Sequence, residues 1–145
     1  MSRVKIELPD TFAFKTNYKV RVSDINYGGH VGNDAILAIM QEGRLEYLQS
    51  LGFKDEVHID HNIGIIMTDS AVVYKAESFL GDVLEINVTT SDFNKYGGDF
   101  NYLLKDIANN KVIAQGKTGF VCYDYKIKKI VPIPVILDQK LRQGK

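Results

Sequence analysis

Between residues 24 and 34 the chain reads Asp-Ile-Asn-Tyr-Gly-Gly-His-Val-Gly-Asn-Asp. Asp24, Asn26, His30 and Asp34 bring two carboxylates, an amide and an imidazole into a short stretch, groups able to hold a water molecule or take its proton. Asn33 and Asp34 open a run of helix-forming residues. The first amides of such a helix have no internal partner and carry the positive end of its dipole. Aimed at a carbonyl, one of those N–H groups stabilises the oxyanion that forms on attack. Gly28, Gly29 and Gly32 let backbone approach a ligand closely. Together these types and spacings suit acyl-transfer hydrolysis. They also suit an ordinary capped helix start, in which Asp24 bonds loop amides, Asn26 caps loop backbone and His30 is a hydrogen-bonded structural histidine.

Positioning such groups needs a strand before them and a helix after. Residues 12–23 alternate Phe12, Phe14, Tyr18, Val20 and Val22 with polar residues in part of the run, a strand signal that the glycines then break. From Asn33 to Leu51 the composition is helical, without proline and with only Gly43 inside. Asn33 or Asp34 suits the N-cap, and Gly52 stands where a left-handed C-terminal residue belongs. Ala35 to Met40 are consecutively apolar, so the first half of this helix is expected to be surrounded on all sides. The second half is amphipathic, with Leu45, Leu48 and Leu51 on one side. Strand patterns follow at 63–75, 82–93, 99–108 and 111–126, with turn pairs at Gly81-Asp82 and Asn109-Asn110. A short helix is expected after Pro134. One early helix followed by long strands reads as α+β: a single domain over 1–145, with a curved antiparallel sheet wrapped around one long central helix.

Eighteen basic residues balance eighteen acidic ones, which argues against a partner as anionic as nucleic acid. No apolar run reaches the length of a membrane span or forms a signal-peptide core, so the expected location is the cytoplasm. The single cysteine, Cys122, reads as a small core or strand residue. His58 and His61 have a metal-like spacing but no further ligands in pattern, so no metal is expected. Lys95, Tyr96 and Gly97, between two strands, are placed to meet a phosphate of coenzyme A or the phosphopantetheine arm of a carrier protein, or else to form an ordinary hairpin turn.

Residues 20–52, VRVSDINYGGHVGNDAILAIMQEGRLEYLQSLG, resemble the hotdog-fold acyl-CoA thioesterases of the 4-hydroxybenzoyl-CoA thioesterase-like superfamily. In that family a strand leads into D-x-D/N-x-x-G-H-V-N-N or a near variant, followed by a helix containing E-E-A-R. Asp24, Asn26, Gly29, His30, Val31 and Asn33 sit in that pattern. Gln41-Glu42-Gly43-Arg44 stands where E-E-A-R falls, and Phe79-Leu80-Gly81-Asp82 matches an F-x-G-D strand start. The resemblance implies a hotdog fold and hydrolysis of an acyl thioester, carried on coenzyme A or an acyl-carrier protein, with no cofactor. It further implies a homodimer or homotetramer with sites at the interface between copies. Amides near Gly32 and Asn33 would polarise the carbonyl and Asn26 would position the reactants. Many relatives carry an aspartate where Asn26 stands, and an amide takes no proton near neutral pH. The base would then be Asp24, Asp34 or Glu42. Two rival readings are a hotdog hydratase or dehydratase with an Asp24–His30 dyad, and a non-catalytic acyl-thioester-binding protein.

Overall fold

The computed structural model describes residues 2–143. Among these, six strands and two helices follow in the order β1 (Phe14–Lys19), α1 (Asn33–Ser50), β2 (Ile63–Tyr74), β3 (Val83–Ser91), β4 (Gly97–Asp106), β5 (Lys111–Asp124), β6 (Lys129–Val131) and α2 (Val135–Gln143). The strands pair antiparallel in the spatial order β1-β3-β4-β5-β2, with β6 beside the end of β5. This is the α+β arrangement expected, a curved antiparallel sheet around one long helix. The leading strand is shorter than its pattern suggests, because a 3-10 turn at Val22–Asp24 replaces its last residues.

The register decides where the helix lies. Phe14, Val88, Tyr102, Gly116 and Val72 stand opposite one another across five strands, as do Thr16, Ile86, Leu104, Ala114 and Tyr74. Directly opposed residues share a face, and these rows present Ile86, Val88, Tyr102, Leu104 and Ala114, all fully buried, to the helix. α1 meets them with Ile36, Ile39, Met40, Gly43, Arg44, Tyr47 and Leu48, the stripe expected of a helix lying on a sheet. At two places the layers approach too closely for a side chain. A Cβ on Gly43 would stand 2.4 Å from Ile86 Cγ2, and one on Gly116 would stand 2.5 Å from Met40 Sδ.

Arg44 is the charged member of that stripe and is 5% exposed. Its Nε donates to Glu56 Oε1 at 2.8 Å and its Nη1 to the Tyr102 hydroxyl oxygen at 2.9 Å. Tyr102 is left to donate its own proton to Thr118 Oγ1, 2.7 Å away. Burial opposes the guanidinium charge, but Tyr102 and Glu56 more than offset it and hold the pKa above the usual arginine value. At the far end of α1, Gly52 takes φ +98° as its position implies. Lys140 Nζ from α2 donates to the Leu51 carbonyl at 2.5 Å, giving an end-of-helix acceptor a cationic partner. Cys122 is buried on β5, and burial pushes its thiol up to about 12.

Three expectations change. The N-cap of α1 is Gly32, with no side-chain bond, because Asn33 is already helical and its Oδ1 accepts from the Asp34 N–H instead. The first half of α1 is not surrounded within one chain: Leu37 and Ala38 are exposed. Six consecutive apolar residues cannot all face one sheet when the chain turns every 3.6 residues. Gly97 and Gly98 begin β4 and are buried instead of forming a turn, since a Cβ on Gly97 would run into the Phe120 carbonyl. On the sheet's outer edge β2 pairs with β5; residues 56–60 bond the outer side of Ile63 and Ile65, and among the described residues the rest of that side has no backbone partner.

Two measurements test this packing. Gly43→Ala gains about 1 kcal/mol of helix propensity but drives a methyl into Ile86. A net loss of about 1–2 kcal/mol in urea unfolding is expected, and an equal or higher midpoint would show that the layers can part at no cost. Burial also raises Cys122 from 9.0 and Tyr18 from 10.0, each to about 12. The folded chain therefore keeps protons that the unfolded chain releases, so stability is full below about pH 9 and falls as pH rises toward 12. Cys122→Ala should remove the part of that fall that begins near pH 9 and leave the part due to tyrosine, as read from urea midpoints at stepped pH.

Candidate active site

The loop ahead of α1 closes on itself. Ile25 bridges to Val31, the Asn26 N–H donates to the His30 carbonyl at 2.9 Å, and the Gly29 N–H to the Asn26 carbonyl at 3.1 Å. Gly29, at φ +84°, makes the reversal that a side chain would strain. Asn26 Oδ1 accepts from the Gly28 N–H at 2.9 Å. That bond occupies Oδ1 and leaves Nδ2, a donor only, without a partner among the described residues. Asp24 is committed elsewhere: its Oδ2 accepts from the Tyr18 hydroxyl at 2.7 Å and the Arg21 N–H at 2.9 Å, tying the 3-10 turn to β1. Burial, and then that carboxylate, push the Tyr18 phenol up to about 12.

A cleft of about 370 Å³ opens beside this loop. Asn26, His30 and Asn33 line it from the loop and helix start, Tyr74 to Ser78 from the end of β2 onward, and Ile36 and Ile113 are among its apolar residues. The two walls are joined by the Val31 N–H, which donates to the Ser78 carbonyl at 2.9 Å. His30 Nδ1 lies 3.2 Å from the Val31 carbonyl, so that nitrogen donates to it, and in the neutral ring Nε2 is the acceptor. Nε2 stands 3.9 Å from Glu77 Oε1. At the helix start, Asn33 Oδ1 takes the Asp34 N–H at 3.0 Å and the Gly32 carbonyl takes the Ala35 N–H at 3.1 Å. Among the described residues the Asn33 N–H has no partner. The space between these groups is kept clear by glycine. A Cβ on Gly28 would come within 3.3 Å of both Asn26 Oδ1 and His30 Nε2, and one on Gly32 would meet Asp34 Oδ1 at 2.5 Å.

The residues singled out in the sequence fall into two groups. Asn26, His30 and Asn33 line the cleft, and Gly32 and Asp34 adjoin it. Asp24 faces β1 instead. Glu42 is exposed on the outer side of α1, eight residues or about 12 Å along the axis from Asp34. Lys95, Tyr96 and Gly97 lie at the opposite end of the sheet. Gly97 pairs with Val121 and Tyr74 with Ala114, seven residues or about 23 Å apart along β5. The Tyr96 and Gly97 amides are also occupied, by Asn94 Oδ1 at 2.8 and 3.1 Å. His58 pairs with Asp55 through Nδ1 at 2.9 Å, and His61 is exposed. Sequence reasoning missed Tyr74, Lys75, Glu77 and Ser78. Their one local signal is position, in the charged stretch just before the F-x-G-D strand start. What brings them to the loop is the Val31–Ser78 bond, forty-seven residues apart.

The profile of the thioesterase-like superfamily matches residues 20–141. Over 129 residues the chain is 26% identical to the long-chain acyl-CoA thioesterase FadM of Escherichia coli (strain K12), covering 89% of this chain and 97% of that protein. Two solved structures share the fold. Slr0204, a 1,4-dihydroxy-2-naphthoyl-CoA thioesterase from Synechocystis, superposes with a TM-score of 0.80 at 17% identity, covering 89% of this chain and 95% of that one. The probable thioesterase YbaW from Escherichia coli does so with a TM-score of 0.72 at 23% identity, covering 90% and 97%.

Proposed function

The chain belongs to the thioesterase-like superfamily, and on that premise we propose that it hydrolyses an acyl-CoA thioester to the free acid and coenzyme A. The observation that carries the reading is the helix start: Asn26, His30 and Asn33 line one cleft, with the Asn33 N–H unpartnered. The thioester carbonyl oxygen accepts from the Asn33 N–H and from Asn26 Nδ2. Both are donors, and both strengthen as that oxygen gains charge in the transition state. Asn26 thus acts on the electrophile, which suits an amide standing where many relatives place an acid. Water attacks the polarised carbon, the carbon–sulfur bond breaks with its electron pair on sulfur, and the thiolate leaves. No cofactor enters these steps. An acyl-carrier protein is the alternative carrier of the same thioester.

Two features favour a homodimer, or a homotetramer built from it. The edge of β2 beyond Ile65 offers unpaired ladder, which a second copy can extend. Leu37 and Ala38, exposed on the outer side of α1, give a partner apolar surface to cover. No helix among the described residues is long and apolar enough to cross a membrane. The proposed compartment is the cytoplasm, in keeping with a lone unpaired thiol. A hydratase is disfavoured because its dyad would need Asp24, whose carboxylate is held by Tyr18 and Arg21 away from His30.

Thiol release over a panel of short, long and aromatic acyl-CoA substrates, with an acyl-carrier-protein arm, tests the reading. The wild type should turn over at least one member. Asn26→Ala and His30→Ala should each lower kcat/KM by about 10- to 1,000-fold, Asp34→Ala by less, and Glu42→Ala by under about twofold. Full activity in all four variants would sink this site. Tight acyl-CoA binding without turnover would mark a binding protein, and crotonyl-CoA hydration without thiol release a hydratase.

A further inference from the structure

Hydrolysis of a thioester needs an acceptor for the proton of the attacking water. Asp24 is bound to Tyr18 and Arg21. Glu42 is on the outer side of α1. Asp34 folds over Gly32, at the margin of the cleft. The carboxylate that lines the cleft itself is Glu77, opposite His30. Its backbone is held from two sides. The Glu77 carbonyl accepts from Lys111 Nζ at 2.8 Å, and the next carbonyl, that of Ser78, accepts from the Val31 N–H. Glu77 Oε1 stands 3.9 Å from His30 Nε2, too far for a direct hydrogen bond and suited to one water shared between them. In the neutral ring Nδ1 donates to Val31, so Nε2 would accept one hydrogen of such a water. Oε1 accepts the other.

We propose that Glu77 is the general base of the reaction, an assignment that rests on the thioesterase reading above. The water between Glu77 and His30 gives its proton to the Glu77 carboxylate as its oxygen bonds to the thioester carbon. The oxyanion, held by the Asn33 N–H and Asn26 Nδ2, then collapses. The carbon–sulfur bond breaks with its electron pair passing to sulfur, and the proton on Glu77 passes to the thiolate. Acid and thiol leave, and Glu77 is again a carboxylate, so one water is consumed and nothing is oxidised or reduced. His30 orients the water through its lone pair. The Glu77 side chain is 64% exposed, which leaves room for water to be replenished after each turnover.

The experiment measures kcat and KM of the wild type, Glu77→Gln, Glu77→Ala and Asp34→Asn on the best acyl-CoA of the panel, with melting temperatures in parallel. Glu77→Gln should lower kcat by about 100- to 10,000-fold with KM within about threefold and an unchanged melting temperature. Added formate should restore part of the rate to Glu77→Ala and none to the wild type. Asp34→Asn should cost less than Glu77→Gln. The assignment falls if Glu77→Gln keeps kcat within about threefold of wild type, if the loss is in KM alone, if formate restores nothing, or if Asp34→Asn costs more. An active wild type with an active Glu77→Gln sinks this assignment alone. A wild type that releases no thiol from any substrate sinks the thioesterase reading and this assignment with it.

Discussion

The close seating of α1 on the sheet is the constraint from which the rest follows. Gly43 removes the side chain that would hold the helix off β3, and Gly116 opens the socket that Met40 Sδ enters. Between them Arg44 binds the helix to β4 through Tyr102 and to the segment after the helix through Glu56. A buried guanidinium tolerates its surroundings only while those oxygens stay in place, so the helix has one depth and one rotation. Its first turn is therefore delivered to a fixed point beside the end of β2. A helix free to roll or rise by an ångström would carry the Asn33 N–H out of the cleft.

The loop and the cleft wall are built so that donors and acceptors do not mix. The Gly28 amide occupies Asn26 Oδ1 and leaves Nδ2, and the Asn33 N–H is unpartnered; both can only give a hydrogen. His30 Nε2, on the same wall, and Glu77 Oε1, opposite it, can only receive one while the imidazole is neutral. On the proposed reaction, the thioester carbonyl meets the donors and the attacking water meets the acceptors. This sorting uses backbone bonds throughout, with Gly28 bonded to the amide and Val31 to the imidazole. The pairs that set it are one or two residues apart, and a short glycine-rich loop can hold them without help from elsewhere.

That locality is why half of the site was legible in the residues alone. Asn26, His30 and Asn33 are close in sequence, and strand, glycines and helix follow in an order that announces a loop at a helix start. Fold was legible for a related reason: the alternation in β3 and β5 and the helical run after Asn33 each have one period. The boundaries moved where tertiary contacts intervened, as at the 3-10 turn that Asp24 and Tyr18 stabilise, or at Gly97, which pairs with Val121 at the start of β4. The other half of the cleft was not legible. Glu77 and Ser78 belong to a connection with no periodicity, and a hydrogen bond across forty-seven residues puts them in place. The carboxylates favoured from the loop and helix, Asp24 and Glu42, are carried away from the cleft, one by a phenol and the other by the turn of the helix.

The burial of Cys122 has a practical consequence. It is the only thiol in the chain, it is fully buried on β5, and burial pushes its pKa from 9.0 up to about 12. Disulfide reagents react with thiolate, so the native protein is silent to them. If the proposed substrate is an acyl-CoA, colour developed with such a reagent during turnover reports the released coenzyme A against a low protein background. The same silence makes the residue a gauge of the fold, because colour in the absence of substrate can arise only when the sheet has opened.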